Sequence, residues 1–298
     1  MLVEVFRRLH PFGAVEDYRY VGFGSVWFSD FSLVHRTLGV TEMLSIEKAK
    51  AQKPRFDANR PFNIKMDYRA AGDALKSLKW STNHFVWLDY DGVLDTEILK
   101  DVRLVASKAN SGSALIVSTQ CNQAKEVSDA DNEPSGLSAT ERFKQTFGNA
   151  RVGANLGEED LYGWPFGTLC KKIILEEVND ALKVRNLGGA DKLAAEVICE
   201  IDYQDGAKMT TVALLFWKTS DAAKLAACGF SSLDFLPSAG KRVFIDLPKL
   251  TARELRQLEA QLPLASGDQL NLGAIPASDA SKFTALYRYF PNFAVTEV

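Results

Sequence analysis

The chain has 298 residues, of which 46% are hydrophobic and 24% charged, a composition typical of a folded globular protein and not of a disordered or fibrous one. Its formal net charge of -3 disfavours a broad phosphate-binding surface, so nucleic acid is not the expected partner. The N-terminus lacks the apolar segment of a signal peptide, and no stretch is long and apolar enough to span a membrane.

The cysteine and histidine content predicts neither a disulfide framework nor a metal site. Four cysteines are spread along the chain without a Cys-x-x-Cys pair, and only three histidines accompany them. No histidine has a serine or cysteine partner in a context that would indicate a hydrolase triad. Reduced, mostly buried thiols are typical of a cytoplasmic protein, and we expect that location.

Residues 1–10 predict a short amphipathic helix, and from residue 17 short apolar runs alternate with helical stretches. The predicted strands are Tyr18–Val21, Thr41–Ile46, Phe62–Met66, His84–Leu88 and Ser113–Val117. The predicted helices between them are Val26–Leu38, a segment ending near Asn59, Ala71–Leu78 and Asp95–Ser107. This alternation predicts a parallel sheet with helices on both faces and a ligand beyond the carboxyl ends of the strands.

Residues 124–192 form a mixed segment that we interpret as an insertion. A loop is predicted at 128–138, because Asp, Asn, Pro and Gly are frequent there, and helices at Thr140–Phe147 and Gly167–Leu182. The turn-forming residues of Tyr162–Gly167 predict a packed surface loop before the second helix.

Two β-rich runs, Glu196–Tyr203 and Met209–Trp217, flank a short Asp-Gly turn and predict an antiparallel hairpin at the end of the sheet. Beyond it, Arg242–Ile245 predicts a strand, and Thr251 with Glu254 has the spacing of a capping box at the start of a helix. We predict one domain over residues 1–228, with the insertion inside it, and a small α+β appendage over residues 229–298 packed on it.

The bend after the first strand is the first candidate binding element. Gly22 and Gly24 let the backbone approach a ligand, and Ser25 follows at the start of the next element. Glu47 ends the second strand, 25 positions after Gly22, where an acidic side chain binds ribose hydroxyls in dinucleotide-binding folds. These residues predict a site for an adenosine-containing cofactor.

Acidic residues also end the third and fourth strands. Asp67 is a candidate acceptor for an adenine amino group, and Asp89 and Asp91 close the most apolar strand. Two carboxylates beside a pocket can act as a base or position a substrate. After the fifth strand, Ser118-Thr119-Gln120 and Asn122 add neutral hydrogen-bonding groups at the same edge.

Together these features resemble the class I S-adenosylmethionine-dependent methyltransferases over roughly residues 17–217. The resemblance rests on the bend Val21–Ser25, on Glu47, on Asp67 and on Leu88–Asp91. The late hairpin adds to it, since this family ends its sheet with an antiparallel strand. The resemblance implies an α/β fold with a Rossmann-like methyltransferase sheet and S-adenosylmethionine as cofactor.

By this resemblance, Gly22 and Gly24 would line the methionine side of the cofactor, Glu47 would hold the ribose and Asp67 the adenine. Asp89 would stand near the sulfonium and the acceptor.

The sequence departs from related patterns at two places. Phe85–Asp91 is similar to the fourth strand of metal-dependent O-methyltransferases, but Ser118-Thr119 stands where those enzymes have an Asp-Asn pair of metal ligands. No metal is therefore expected. The acidic residue usual just before the glycine bend is absent, and Tyr18-Arg19-Tyr20 stands there instead.

Three functions fit these observations. The first is methyl transfer to an oxygen or nitrogen of an unidentified acceptor, with Asp89 or Asp91 as the base or positioning group. The second is a non-catalytic methyltransferase-like subunit that binds a partner protein or a second copy of itself. The third is an NAD-dependent oxidoreductase, which shares Gly22, Gly24 and Glu47 but lacks a supporting catalytic pair.

Overall fold

The computed structural model describes residues 1–128, 136–189, 191–236 and 241–289, so most of the loop predicted at 128–138 lies outside the described residues. The strands are β1 Arg19–Gly22, β2 Glu42–Ile46, β3 Lys65–Asp67, β4 His84–Val93, β5 Ala114–Gln120, β6 Leu193–Asp205, β7 Ala207–Lys218 and β8 Arg242–Ile245. The helices are α1 Leu2–Arg7, α2 Ser29–Leu38, α3 Lys53–Asn59, α4 Ala71–Lys76, α5 Thr96–Lys108, α6 Lys125–Ser128, α7 Ala139–Phe147, α8 Asn149–Val152, α9 Gly163–Arg185, α10 Ala222–Ala227, α11 Ala252–Glu259 and α12 Ala277–Leu286.

The eight strands form one sheet in the order β3-β2-β1-β4-β5-β7-β6-β8. Neighbours among β1 to β5 pair in parallel, whereas β7 pairs antiparallel with both β5 and β6. This confirms the predicted sheet, mostly parallel with a late antiparallel hairpin. The strand order reverses between β1 and β4, and open sheets of this kind bind ligands beyond the carboxyl ends at that point.

Apolar side chains cover both faces of the sheet, because successive side chains of a strand point to opposite sides. On β4, Val86 and Leu88 belong to the large buried cluster that includes residues of α5 and α9. The neighbouring Phe85 instead stacks on Phe6 and Tyr18, with ring centroids 4.3 and 4.4 Å apart. The buried first half of β4 thus packs on both faces of the sheet, and its second half carries Asp89 and Asp91 to the edge.

Strand β4 continues further than predicted. The predicted strand ended at Leu88, whereas the strand of the structure ends at Val93. The pairing of β4 with β1 stops at Trp87, whereas its pairing with β5 continues to Val93 with a register shift after Asp89. The last residues of β4 thus extend beyond β1.

Helix α9 corrects another prediction. It begins at Gly163, so Tyr162–Gly167 is not a surface loop but largely the first turns of a 23-residue helix. Phe166 is fully buried, and a Cβ at Gly167 would lie 3.1 Å from the Sγ of Cys121. Packing of the helix against the sheet outweighs the turn-forming composition of the segment.

The chain divides into two compact units, Leu2–Val243 and Phe244–Val298, the second including Met1. The strand predicted at Arg242–Ile245 is β8, which lies next to β6 at the edge of the sheet. The domain boundary predicted after residue 228 stays a prediction. The described part of the second unit contains α11, with the predicted Thr251–Glu254 capping box, and α12. These helices enclose their own apolar cluster around Leu258 and Phe283.

Candidate functional site

The glycine bend between β1 and α2 packs tightly against β2. The backbone N–H of Gly24 donates to the Oγ of Ser45 at 3.1 Å, and a Cβ at Gly24 would lie 2.8 Å from that oxygen and against the ring of Phe28. The left-handed φ angles fall not on the glycines but on Ser25 (46°) and Phe28 (47°). Gly24 is required for close approach, and the sharp turn itself is made by two non-glycine residues.

Glu47 meets this bend. Its Oε1 accepts a hydrogen bond from the backbone N–H of Ser25 at 2.9 Å, and its side chain is half-buried. Burial raises the pKa of the carboxyl, whereas the hydrogen bonds from the backbone of Ser25 and Gly24 lower it. The two elements that sequence spacing predicts to face one another therefore lie in contact, and their role in binding stays a prediction.

Asp89 and Asp91 project from the part of β4 that extends beyond β1. Burial raises the pKa of Asp89, the Ser118 hydroxyl lowers it through a hydrogen bond, and the charge of Asp91 raises it. Asp91 is exposed. Asp89 is thus a partly desolvated carboxylate, the kind of environment in which a carboxylate becomes a stronger base.

These elements border a cavity of about 720 Å³, a volume within the usual range for small-molecule sites. Ser25, Glu47, Asp89 and Asp91 line it, together with the residues that begin α4 and α5. Gly22 and Gly24 are not among its lining residues. Four of the seven predicted site residues thus surround one cavity.

Asp67 does not line this cavity. Its carboxylate accepts hydrogen bonds from the side chain of Arg69, at 2.9 Å from Nε and 2.5 Å from Nη2. The same arginine lowers the pKa of Asp67. A contact with adenine would have to compete with this ion pair, and the role predicted for Asp67 stays a prediction.

The neutral groups after β5 are also used inside the protein. Ser118 accepts from the indole N–H of Trp87 and lies 2.9 Å from the Oγ1 of Thr211, and Thr119 is fully buried. Asn122 accepts from the backbone N–H of Lys208 in the hairpin. Ser118 reaches the cavity only indirectly, through Asp89.

Two interactions at this site were not predicted from the sequence. The phenol of Tyr90 donates to Asp101 at 2.7 Å, and its ring packs edge-on against Phe23, so the wall of the cavity is held in place. The phenol of Tyr20 donates to Asp30 at 2.5 Å directly beneath the bend. The sequence feature that could have drawn attention to Asp30 is its position as an acidic residue in the first turn of the helix that follows the glycines.

Neither a metal cluster nor a membrane helix is found within the described ranges. They contain no group of three or more His, Cys, Asp and Glu side chains arranged to hold a metal ion. None of the helices in these ranges combines the length and apolar composition that crossing a bilayer requires.

Comparison with known proteins gives a family match over the whole chain. A family model described as "Putative O-methyltransferase" matches residues 1–298. No curated protein matches.

Several solved structures are similar in part. One is LepI in complex with SAM, at 10% identity and a TM-score of 0.38, covering 71% of this chain and 46% of that one. Another is an O-methyltransferase family protein from Burkholderia thailandensis, at 16% identity and a TM-score of 0.35, covering 72% and 54%. The plantazolicin methyltransferase BamL, solved with SAH, has 9% identity and a TM-score of 0.37, covering 72% and 82%. This chain spans about half the length of the first two.

Proposed function

The chain belongs to this family of O-methyltransferases, and from that premise we propose that it transfers the methyl group of S-adenosylmethionine to a hydroxyl oxygen of an acceptor molecule. Family membership confirms the superfamily predicted from the glycine bend and the strand-end acids. The identity of the acceptor, and the choice of oxygen over nitrogen, are part of the proposal.

One observation carries this proposal: the contact between Glu47 and the bend at Ser25. A carboxylate has about four acceptor positions on its two oxygens, so Glu47 can accept from the backbone of the bend and still accept from the hydroxyls of a ribose. The bend beside it has no space for a side chain at Gly24. Together they form a fixed cradle for an adenosine at the rim of the cavity.

Asp89 is the group that we assign to the acceptor. When bound, S-adenosylmethionine would supply the methyl group, and its sulfur would keep the electron pair of the bond that breaks as the acceptor oxygen bonds to the methyl carbon. Asp89 accepts a hydrogen bond from the acceptor hydroxyl and takes its proton, so the product is a neutral ether. The raised pKa of Asp89 favours this transfer, and Ser118 holds the carboxylate in place.

Tyr90 shapes the same space. Its side chain is fixed at one end by Asp101 and along the ring by Phe23. A wall that does not move keeps an acceptor in line with the transferred methyl group, and positioning of this kind supplies much of the rate enhancement in displacement reactions.

Isothermal titration calorimetry with S-adenosylmethionine, S-adenosylhomocysteine and NAD tests the proposal. We expect both adenosyl ligands to bind and NAD to give no heat. Glu47→Gln should weaken S-adenosylmethionine about tenfold or more, because a neutral amide replaces a charged acceptor. The matched control is Glu42→Gln. Glu42 is an exposed glutamate of β2, the strand that Glu47 follows, and its carboxylate pairs with Lys65.

Binding of NAD without S-adenosylmethionine would overturn the proposal in favour of an oxidoreductase. Binding of S-adenosylmethionine without methyl transfer to a broad panel of phenols and alcohols, together with a co-purifying protein, would favour the non-catalytic subunit.

A further inference from the structure

The surface formed by α2 and residues 48–62 combines exposed apolar side chains with a local excess of positive charge. Three large apolar residues are exposed there, Trp27 by 78%, Leu33 by 55% and Phe62 by 43%. Residues 48–60 contain five lysines and arginines against one aspartate, whereas acids outnumber cations by 38 to 35 in the whole chain. We call the exposed face of α2 and of residues 48–62, together with Trp27, the basic surface.

Helix α2 and residues 48–62 lie side by side. Phe28, just before α2, meets Phe56 of α3 edge-on, with ring centroids 6.5 Å apart. Six residues further on, the ring of Phe62 lies 4.4 Å from the ring of His35 and 5.9 Å from the guanidinium of Arg36, both near the end of α2. The segment therefore follows α2 along its length, and the exposed side chains of both belong to one surface.

The cations of the basic surface have no acidic partners. The five in the segment, all exposed, are Lys48, Lys50, Lys53, Arg55 and Arg60. Among the described residues, no acid forms an ion pair with any of these five or with Arg36. The aspartate of the segment, Asp57, accepts a hydrogen bond from the phenol of Tyr68 at 2.7 Å instead.

We propose that the basic surface docks onto a membrane surface that is rich in anionic lipid headgroups. Lysines and arginines near such a surface are attracted to its charge. Exposed tryptophan, leucine and phenylalanine side chains lose contact with water when they enter the zone between headgroups and acyl chains. The apolar stems of the lysines can cross that zone while their ammonium groups stay among the headgroups.

Three other occupants would use less of this surface. Protein interfaces are poor in lysine, and three of the five cations in the segment are lysines. Single-stranded nucleic acid would stack on Trp27 and Phe62 but would leave Leu33 in water. A second copy of the chain, bound through the same surface, would bring the cations of two chains together.

The basic surface adjoins the cavity of the candidate site. Lys48 lines that cavity, and so does Ser25, whose hydroxyl accepts from the backbone N–H of Trp27 at 3.2 Å. Docking therefore places this part of the cavity wall next to the headgroups. The inference does not depend on the proposed function, because no cofactor takes part in the docking.

Cosedimentation of the full chain with lipid vesicles tests the inference. One set of vesicles is phosphatidylcholine alone, and the other contains about one third phosphatidylglycerol. We expect binding to the second set and little to the first, with affinity falling as salt is raised to about 0.5 M. Failure to bind the anionic vesicles, or equal binding to both sets, would overturn the inference.

Helices α5 and α9 provide control positions, because they lie on the face of the sheet opposite α2. Phe31 of α2 packs on Tyr20 of β1, whose register partner on β4 is Phe85. The next residue of β4, Val86, points to the other face and belongs to the cluster that includes residues of α5 and α9.

The charge variant is Lys50→Gln with Arg55→Gln. It should weaken binding to the anionic vesicles about twentyfold, since each cation near an anionic surface contributes about fivefold. The matched control, Lys108→Gln with Lys172→Gln, removes two exposed lysines without ion pairs from α5 and α9 and should change binding less than about twofold. Thermal unfolding checks that both variants fold, and an equal loss of binding in the two would contradict a defined docking surface.

The apolar residues give an independent measurement. Anionic vesicles should shift the emission of the five tryptophans to shorter wavelength, and the shift should disappear in Trp27→Phe, which retains an apolar ring. Leu33→Ser should weaken vesicle binding about fivefold, whereas Leu187→Ser, at a residue 80% exposed beyond the end of α9, should leave it unchanged.

Two further outcomes would count against the membrane. Vesicle binding without a change in the emission of Trp27 would show that the apolar residues do not enter the lipid. Binding to a single-stranded RNA oligonucleotide or to polyglutamate, with none to the anionic vesicles, would assign the basic surface to nucleic acid or to an acidic protein.

Discussion

Two groups of buried carboxylates in the same sheet differ in what surrounds them. On β6, Asp202 is only 1% exposed and bonds to Lys171 of α9 at 3.2 Å, to Arg242 at 2.5 Å and to Thr210 at 2.6 Å. At the bend, Asp30, Glu47 and Asp89 have carboxylate neighbours instead. The first group is paired with cationic side chains of the protein itself, and these ion pairs link β6 to α9 and β8. Within the described residues, none of the acids of the second group forms an ion pair with a lysine, arginine or histidine.

A second buried acid is also paired with cationic side chains. Glu177 on α9 is buried and forms ion pairs with Arg103 of α5 and Arg151 of α8. Removing one partner of a buried ion pair costs several kcal/mol, because the other charge is then left buried without compensation. The same kind of substitution should therefore have opposite consequences for stability in the two regions.

The largest effect is expected at Asp202. Asp202→Asn leaves Lys171, which is 4% exposed, with Glu200 as its remaining acidic partner. The free energy of unfolding should fall by about 3 kcal/mol, measured by urea denaturation. The double variant Lys171→Met, Asp202→Leu should recover much of that loss, since no charge is then buried. A single variant that loses less than 1 kcal/mol would remove the contrast between the regions.

The next effect is on catalysis. Asp89→Asn should slow methyl transfer about a hundredfold, because the acceptor proton loses its base, while the free energy of unfolding stays equal or rises as repulsion from Asp91 disappears. Transfer of labelled methyl to a panel of phenols and calorimetric unfolding measure the two quantities. Glu97→Gln is the control, as Glu97 lines the same cavity but pairs with Lys100. Retained turnover would take Asp89 out of the reaction.

A smaller effect is expected from the bend. Gly24→Ala places a methyl group against Phe28 and Ser45 and should cost about 2 kcal/mol of stability together with cofactor affinity. Gly92→Ala is the matched control in the same site, since a Cβ there would meet nothing within 4 Å. Similar results for the two variants, in thermal unfolding and in calorimetric titration, would contradict the tight packing of the bend.

The smallest effect concerns pH. The pKa of Asp30 is raised to about 6 in the folded protein, above its ordinary value, so the folded state binds the proton more tightly than the unfolded chain. Stability of the ligand-free protein should therefore rise, by about 1 kcal/mol, as the pH falls from 7 towards 5. Denaturation at both pH values measures it. The rise should be absent in Asp30→Asn, and its persistence there would assign it to another group.

Much of this architecture could be read from the sequence, because strand-end polar residues in an alternating pattern fix which edge of a sheet they reach. The contact of Glu47 with the bend follows from that rule. Asp30 could not be found in this way. In the sequence, Asp30 is only an acidic residue in the first turn of a predicted helix. Its position near Gly22 involves the left-handed turn at Phe28 and the hydrogen bond from the phenol of Tyr20.

Side-chain contacts at two other places could not be read from the sequence. Arg69 folds back onto the carboxylate of Asp67, two positions earlier, and the ligand-binding role of Asp67 stays a prediction. No pattern of residue types distinguishes that conformation from an open one. Tyr162–Gly167 has the composition of a turn, yet burial of Phe166 makes it part of a helix. In both cases a side-chain contact decided what composition left open.

Strand β4 has one further consequence. Its pairing with β1 ends at Trp87 and the strand runs on to Val93, so the amides and carbonyls of that stretch on the β1 side have no ladder partner in β1. Main-chain groups of this kind can form hydrogen bonds with the edge of a flat heterocycle, and among amino-acid exchanges only one to proline removes a backbone N–H. Alanine variants of this stretch keep these backbone groups. Alanine scanning of the cavity would therefore understate any contribution of the backbone to ligand affinity.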